Sequence, residues 1–340
     1  MELIVMLSAL VAFATIGSCL PTNAKPWTLI PDGAGFMRMV NINPLDVVAG
    51  ENEADTLFNP ELDVVFRLHT RRNPVHNQLL KWNDLDTIKK SNFDPANPTR
   101  FVIHGWIEGE GATLHWVIKD HYLRVGNVNV INVDWGAGSQ TINYIAARNR
   151  VAAVGMIVSR LIDVIRYATG QPRSMINVIG FSLGAHAAGN AGKKQDGLLN
   201  SVIGLDPAGP LFSIGQADIL ASSDAVYTEA IYTNAGQLAF DYPLAQANFY
   251  PNGGRSQPGC FLDLAGICAH NRVNDLFAES VSTTSHFVAM RCANYGEILS
   301  GRCTSSGPYA NMGGEPSNHG RGVSGVYLLM TNSRSPFARG

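Results

Sequence analysis

Apolar residues along this chain keep two different spacings, and the alternation between them predicts the architecture. "VVFRLHT" from residue 64 reads as an early strand, and "TRFVIHGW" follows a Pro-Asn turn region and ends at a Gly-containing turn. "NVNVINVDWG" is apolar at all its branched positions, as in a strand covered on both faces. From about Tyr144 to Thr169 the spacing changes. Val151, Val154, Val158, Leu161 and Ile165 recur at helical intervals, and Gly170-Gln171-Pro172 stops the helix. "MINVIG" returns to a buried strand, "AHAAGNAG" to a helix, and "SVIGLDPAGP" to a strand ending on an Asp and two prolines. Val273, Leu276, Phe277, Ser280 and Val281 mark one face of a later helix, and "GVYLLMTN" a last strand. Strands and helices alternating in this way predict an α/β fold, with a mainly parallel central sheet and helices on both faces. No repeat or long linker interrupts the pattern, so residues 25–340 are expected to form a single domain.

The N-terminus departs from this pattern. Leu3 to Ile16 form an apolar run followed by small and turn residues, too short to span a bilayer and of the right length for a signal-peptide core. Glu2 precedes the run where a positive charge is usual. Residues 1–24 are expected to be a signal peptide cleaved between Gly17 and Ala24, and the protein to be secreted. Cleavage removes Cys19 and leaves Cys260, Cys268, Cys292 and Cys303, an even set that reads as two disulfides. Closing short local loops favours Cys260–Cys268 and Cys292–Cys303 among the three connectivities. No cysteine spacing matches a zinc site, and Asn97-Pro98-Thr99 carries the proline that forbids glycosylation. Only 15% of residues are charged and the net charge is −2, so neither a nucleic-acid surface nor a strongly basic membrane patch is expected.

The chemistry centres on Ser182, alone between Gly180 and Gly184 where a buried strand gives way to a helix. That is the setting of a nucleophile elbow, in which a tight turn pushes the hydroxyl out and glycines relieve the crowding. Ala185, Ala188 and Gly189 let the helix lie close to neighbouring strands, and its N-terminus presents backbone N–H groups toward the Ser. A Ser hydroxyl needs a His to take its proton and an acid to orient that His, here in the chain order Ser, acid, His. Asp206 directly ends a strand, whereas Asp218, Asp224, Asp241, Asp263 and Asp275 lie in less defined surroundings. The histidines that follow are His270, His286 and His319. His270, two residues after Cys268 and just before a helix, is favoured because a disulfide would hold its loop. Oxyanion donors are expected at the backbone N–H of Leu183 and of Trp106 in "FVIHGW".

Together these residues resemble the pancreatic lipase family of secreted α/β-hydrolases. The shared motifs, in order, are "HGW", "VDWG", "GFSLGAHAAG", "GLDPAGPLF", "YPNGGRSQPGC" and "CAHNRVNDLFAES", over roughly residues 60 to 337. The resemblance implies Ser182, Asp206 and His270 as a catalytic triad, Trp106 and Leu183 as oxyanion donors, and the same two disulfides. It implies no cofactor. Three departures narrow the substrate. Only "FLDLAGI" lies between Cys260 and Cys268, where larger members carry a long lid, and the loop from Thr233 to Asn248 is short. Reduced loops of this kind resemble the sn-1-selective phospholipases, and leave Phe261, Leu262, Leu264 and Ile267 to touch lipid directly. The family's C-terminal β-sandwich has no counterpart, so no colipase is expected as a partner; the expected partner is a membrane or lipid-droplet surface. Of a structural calcium site found in some members only Asp224 is matched, with Gln216, Ile219 and Ala221 at the other positions, so no metal is expected. The rivals are a weakly active or inactive storage or lipid-carrier protein of the yolk-protein type, and a peptidase.

Overall fold

The structure, a computed structural model, describes residues 27–31, 37–41 and 57–340. The expected signal segment lies outside these residues. Two strands, β1 (Trp27–Pro31) and β2 (Met37–Asn41), pair antiparallel by themselves. The body follows as β3 (Val65–His69), β4 (Gln78–Leu80), β5 (Thr99–Ile103), α1 (Thr113–Val125), β6 (Asn129–Asp134), α2 (Tyr144–Thr169) and β7 (Ile176–Phe181). It continues through α3 (Leu183–Lys194), β8 (Ser201–Leu205), β9 (Tyr227–Ile231), β10 (Ala247–Pro251), α4 (Ile267–Ser282), β11 (Val288–Cys292), β12 (Ala310–Asn311) and β13 (Gly325–Leu329).

Eleven strands form one sheet in the order β12-β11-β13-β10-β9-β8-β7-β5-β6-β3-β4. Pairing from β6 through to β13 is parallel, while β3 with β4 at one edge and β11 with β12 at the other run antiparallel to their neighbours. Side chains alternate across each strand, and the buried ones divide accordingly. Phe101, Ile103, Val178 and Val202 face a core built with the Val151, Val154, Val158 and Leu161 stripe of α2. Val102, Ile179 and Ile203 face a second core with Ile118 and Tyr122 of α1 and Val273, Leu276 and Phe277 of α4. The sheet is therefore covered on both faces, which is why its central strands read as unbroken apolar runs. The result is the α/β architecture expected from the alternating pattern, in the α/β-hydrolase form that the family resemblance implies.

Helix α2 has the predicted boundaries. It starts at Asn143, whose side chain accepts from the N–H of Ala146, and ends at Gly170 in the left-handed conformation. Both expected disulfides are formed, Cys260–Cys268 and Cys292–Cys303. Among the described residues no helix is long and apolar enough to cross a membrane.

The register brings the chemistry to one edge. Ile103 pairs with Gly180 and Phe181 with Leu205, so β5, β7 and β8 end level with one another. The residues that follow them (His104 to Trp106, Ser182 and Asp206) emerge together at the carboxyl end of the sheet, where α/β folds form their ligand crevices.

Candidate active site

Ser182 occupies a backbone position that a side chain rarely adopts, at φ 55 and ψ −119 degrees. The turn closes because its neighbours lack side chains. A Cβ on Gly180 would lie 2.0 Å from the carbonyl oxygen of Gly184, and one on Gly184 would lie 2.4 Å from that of Ile103. Neither glycine can be exchanged without breaking the turn or driving α3 off β5. The helix begins at Leu183, immediately after the Ser, two residues earlier than its Ala-rich stretch suggests. As the first residue of α3, Leu183 has an N–H that no intrahelical carbonyl claims.

Asp206, fully buried at the end of β8, is held by three donors. Its Oδ1 accepts from the backbone N–H groups of Thr233 at 2.6 Å and Asn234 at 3.0 Å. Its Oδ2 lies 2.6 Å from Nδ1 of His270. His270 sits in the first turn of α4, where Asp263 accepts from the N–H groups of Cys268 and Ala269 and so anchors the start of the helix. Phe181 packs against the imidazole with ring centroids 4.6 Å apart. Ser182 and His270 line one pocket together with Trp106. The structure thus brings Ser182, Asp206, His270, Trp106 and Leu183 to one place. It separates the rivals: His286 and His319 are exposed, Asp218 pairs with Arg148, Asp224 with Lys193 and Asp275 with Arg272.

The loop that carries Trp106 is fixed by a network that sequence reading did not find. Nδ1 of His104 donates to the carbonyl of Gly105, and Nε2 accepts from the N–H of Trp135, which sets the tautomer. The Trp135 indole donates to the carbonyl of His104, and the Trp106 indole to that of Thr141. Glu108 is the missed residue. Its Oε2 accepts from the N–H of Gly105 at 2.7 Å, and its carbonyl accepts from the Ser139 hydroxyl. Burial raises its carboxyl above the ordinary range, against the pull of His104, the Gly105 N–H and His270. A Cβ on Gly105 would meet Cβ of Ser182 at 3.0 Å, so the loop lies directly against the elbow. The available signal was an acid three residues after the Gly in "HGWIE".

On α3, His186 is buried with Nε2 donating to the carbonyl of Ala208, in the pocket lining, and Nδ1 accepting from the N–H of Leu220. Burial lowers it from 6.5 to about 4, so the native state keeps the ring neutral. The unfolded chain binds that proton first, so stability is lost as pH falls from about 6.5 toward 4, by on the order of 3 kcal/mol. His186→Gln, which does not titrate there, is expected to flatten the fall in urea midpoint between pH 7 and pH 4. Identical slopes in the two proteins would contradict the neutral buried ring.

The calcium positions do not suit a cation. The Asp224 carboxylate accepts from Lys193 Nζ at 2.7 Å and from the N–H of Ala221 at 2.8 Å, and Ile219 and Ala221 offer no side-chain oxygen. Of the four apolar residues expected to meet lipid, Phe261, Leu262 and Leu264 are about nine-tenths exposed. Ile267 is half-buried and lines the pocket instead.

The model of the family described as Lipase matches residues 50–337. The chain belongs to the pancreatic lipase family. It is 33% identical over 312 residues to pancreatic triacylglycerol lipase of Sus scrofa, covering 82% of this chain and 68% of that protein. Phospholipase A1 member A of Bos taurus is 35% identical over 258 residues, covering 74% of this chain and 56% of the relative. Inactive pancreatic lipase-related protein 1 of Homo sapiens is 36% identical over 270 residues, covering 72% and 57%. The matches span between 56% and 68% of the length of these three relatives.

Proposed function

We propose that this lipase-family chain is a secreted serine hydrolase of lipid esters that releases the sn-1 acyl chain of phospholipids at a membrane or lipid-droplet surface. The 2.6 Å contact of His270 Nδ1 with Asp206, in the pocket that Ser182 lines, carries the hydrolase reading. With Nδ1 committed to the carboxylate, Nε2 is the nitrogen that takes the Ser182 proton. The freed Oγ attacks the ester carbonyl carbon, and the N–H groups of Leu183 and Trp106 hold the oxyanion. The alcohol leaves with the proton from His270. Water, deprotonated by His270, then cleaves the acyl-enzyme to fatty acid and restores Ser182.

The preference for phospholipid is supported by the seven residues 261–267 between Cys260 and Cys268, too few for a long cover over the pocket. The name of the bovine relative points the same way. Phe261, Leu262 and Leu264 project from this loop, and each apolar side chain entering a bilayer would add about 1.5–3 kcal/mol of attachment. Two disulfides suit an oxidising compartment and so support secretion. The carrier reading gains nothing from the site, whose three catalytic groups are all present. The human relative's name shows that family membership does not by itself bring turnover, so an assay decides.

The test presents phosphatidylcholine vesicles with distinguishable acyl chains, and a trioleoylglycerol emulsion, to the purified protein. Release of the sn-1 chain with 2-acyl lysolipid is the expected result. Replacing Phe261, Leu262 and Leu264 together by serine is expected to reduce vesicle binding and vesicle hydrolysis while sparing a dispersed short-chain ester. Triglyceride cleavage alone would overturn the phospholipid preference, and no turnover of either lipid would bring the carrier reading forward.

A further inference from the structure

Strands β1 and β2 lie before the residues that the family match covers, yet they reach the catalytic pocket. Thr28 pairs with Val40 and Ile30 with Arg38, so Ile30, Arg38 and Val40 share one face of the pair. That face is turned inward: Ile30 and Val40 are buried in the same apolar cluster as Trp106 and Tyr144, while Met39, on the opposite face, is exposed. Of the two buried residues only Ile30 lines the pocket that holds Ser182 and His270. Beside it Tyr144, Pro210, Leu238 and Ile267 make the wall mostly apolar. Asn271, which lines it along with Ser182 and His270, is polar but uncharged, so the wall suits a hydrocarbon chain rather than a charged headgroup.

We propose that the β1–β2 pair is a wall of the acyl-chain site, and that Ile30 is a specificity-determining residue setting which chain lengths reach Ser182. The proposal rests on the ester-hydrolase reading of that pocket. It gives the site a wall from outside the family-matched span, in addition to Ile267 of the short Cys260–Cys268 loop. A side chain at this position acts by contact and by exclusion. Shortening it removes contact with short chains and opens room for long ones, and enlarging it does the reverse.

The experiment compares kcat/KM for p-nitrophenyl butyrate, octanoate and palmitate in the unaltered chain and in Ile30→Ala, Ile30→Trp and Val40→Ala. Ile30→Ala is expected to raise the palmitate-to-butyrate ratio by about tenfold and Ile30→Trp to lower it by a similar factor. Val40→Ala trims the same inward face at a residue that does not line the pocket, and is expected to leave the ratio unchanged while the pair stays docked. Thermal melting of each variant separates altered selectivity from failure to fold, and Ile30→Ala suffices if the Trp variant does not fold. Equal gains on all three esters in Ile30→Ala and Val40→Ala would overturn the proposal, because the pair would then be a cover that leaves and not a wall that sorts. An unmoved ratio in a folded Ile30→Ala would overturn it as well. No turnover by the unaltered chain, with any ester, would instead mean that the hydrolase reading itself has failed.

Discussion

Replacing Ser182 by alanine is expected to lower turnover of a soluble ester by about 10⁴-fold or more while leaving the fold intact. The loss is large because, among the described residues lining the pocket, Ser182 carries the one aliphatic hydroxyl. His270 and Asp206 are set up to remove a proton from an alcohol, and without the hydroxyl they have only water to act on. What remains should come from the proposed oxyanion donors, the N–H groups of Leu183 and Trp106, and from binding alone. Alanine keeps the Cβ that the elbow at φ 55 degrees already accommodates, and it deletes one buried oxygen from a pocket wall. The thermal midpoint should therefore barely move. The decisive readings are the burst of p-nitrophenol on mixing with excess p-nitrophenyl ester and the steady rate that follows. A full burst in the alanine variant would place the nucleophile elsewhere and remove the basis for the whole site.

The parts of this site legible in the sequence are those fixed by local backbone chemistry. The elbow demands glycines at fixed offsets from the Ser, and Gly180 and Gly184 supply them where a Cβ would collide with backbone. Asp206 ends an apolar strand, and that strand lies beside the one that delivers Ser182. The central strands were readable because burial on both faces leaves almost no polar residue in them. His270 was harder. It stands 64 residues beyond Asp206, and which of three histidines meets that carboxylate depends on how α4 docks on the sheet. Local sequence offers only the neighbouring disulfide as a hint.

Three features went unread for distinct physical reasons. Helix α1 buries His115 and Lys119 in line with Leu114, Ile118 and Tyr122, so its inward stripe is broken by polar residues. Lys119 manages this by donating to the carbonyl of Pro74. Glu108 belongs to no motif read in the sequence, yet it is buried against the N–H of Gly105, a contact that exists only because the loop folds back on itself. Strands β1 and β2 alternate too weakly to announce themselves, and the importance of Ile30 comes wholly from where the pair docks. Loop closures and docking of distant segments thus set the shape of the pocket, whereas local turns set its reactive groups.

Asp206→Asn is the most informative single change after Ser182, with turnover expected to fall by about 10⁴-fold. The carboxylate has no donor of its own, and all its contacts here are donated to it: two backbone N–H groups at Oδ1 and His270 Nδ1 at Oδ2. An Asn amide cannot satisfy all three. If its oxygen faces Thr233 and Asn234, its NH₂ faces Nδ1 and donates there. Nδ1 then becomes an acceptor and the ring proton moves to Nε2, the nitrogen that must be empty to receive the Ser182 proton. If the amide turns over, its NH₂ confronts two backbone donors in a fully buried site, at a cost of about 1–3 kcal/mol for each group left unsatisfied. The first arrangement spares the fold and removes the base. Loss of kcat with little change in KM and a nearly unchanged melting curve is accordingly the expected pattern. If instead stability drops sharply and the residual folded fraction turns over at the normal rate, Asp206 is a structural clamp for the Thr233 loop and His270 is oriented by something else. Turnover within tenfold of the unaltered chain, with stability preserved, would leave the 2.6 Å contact without a catalytic part.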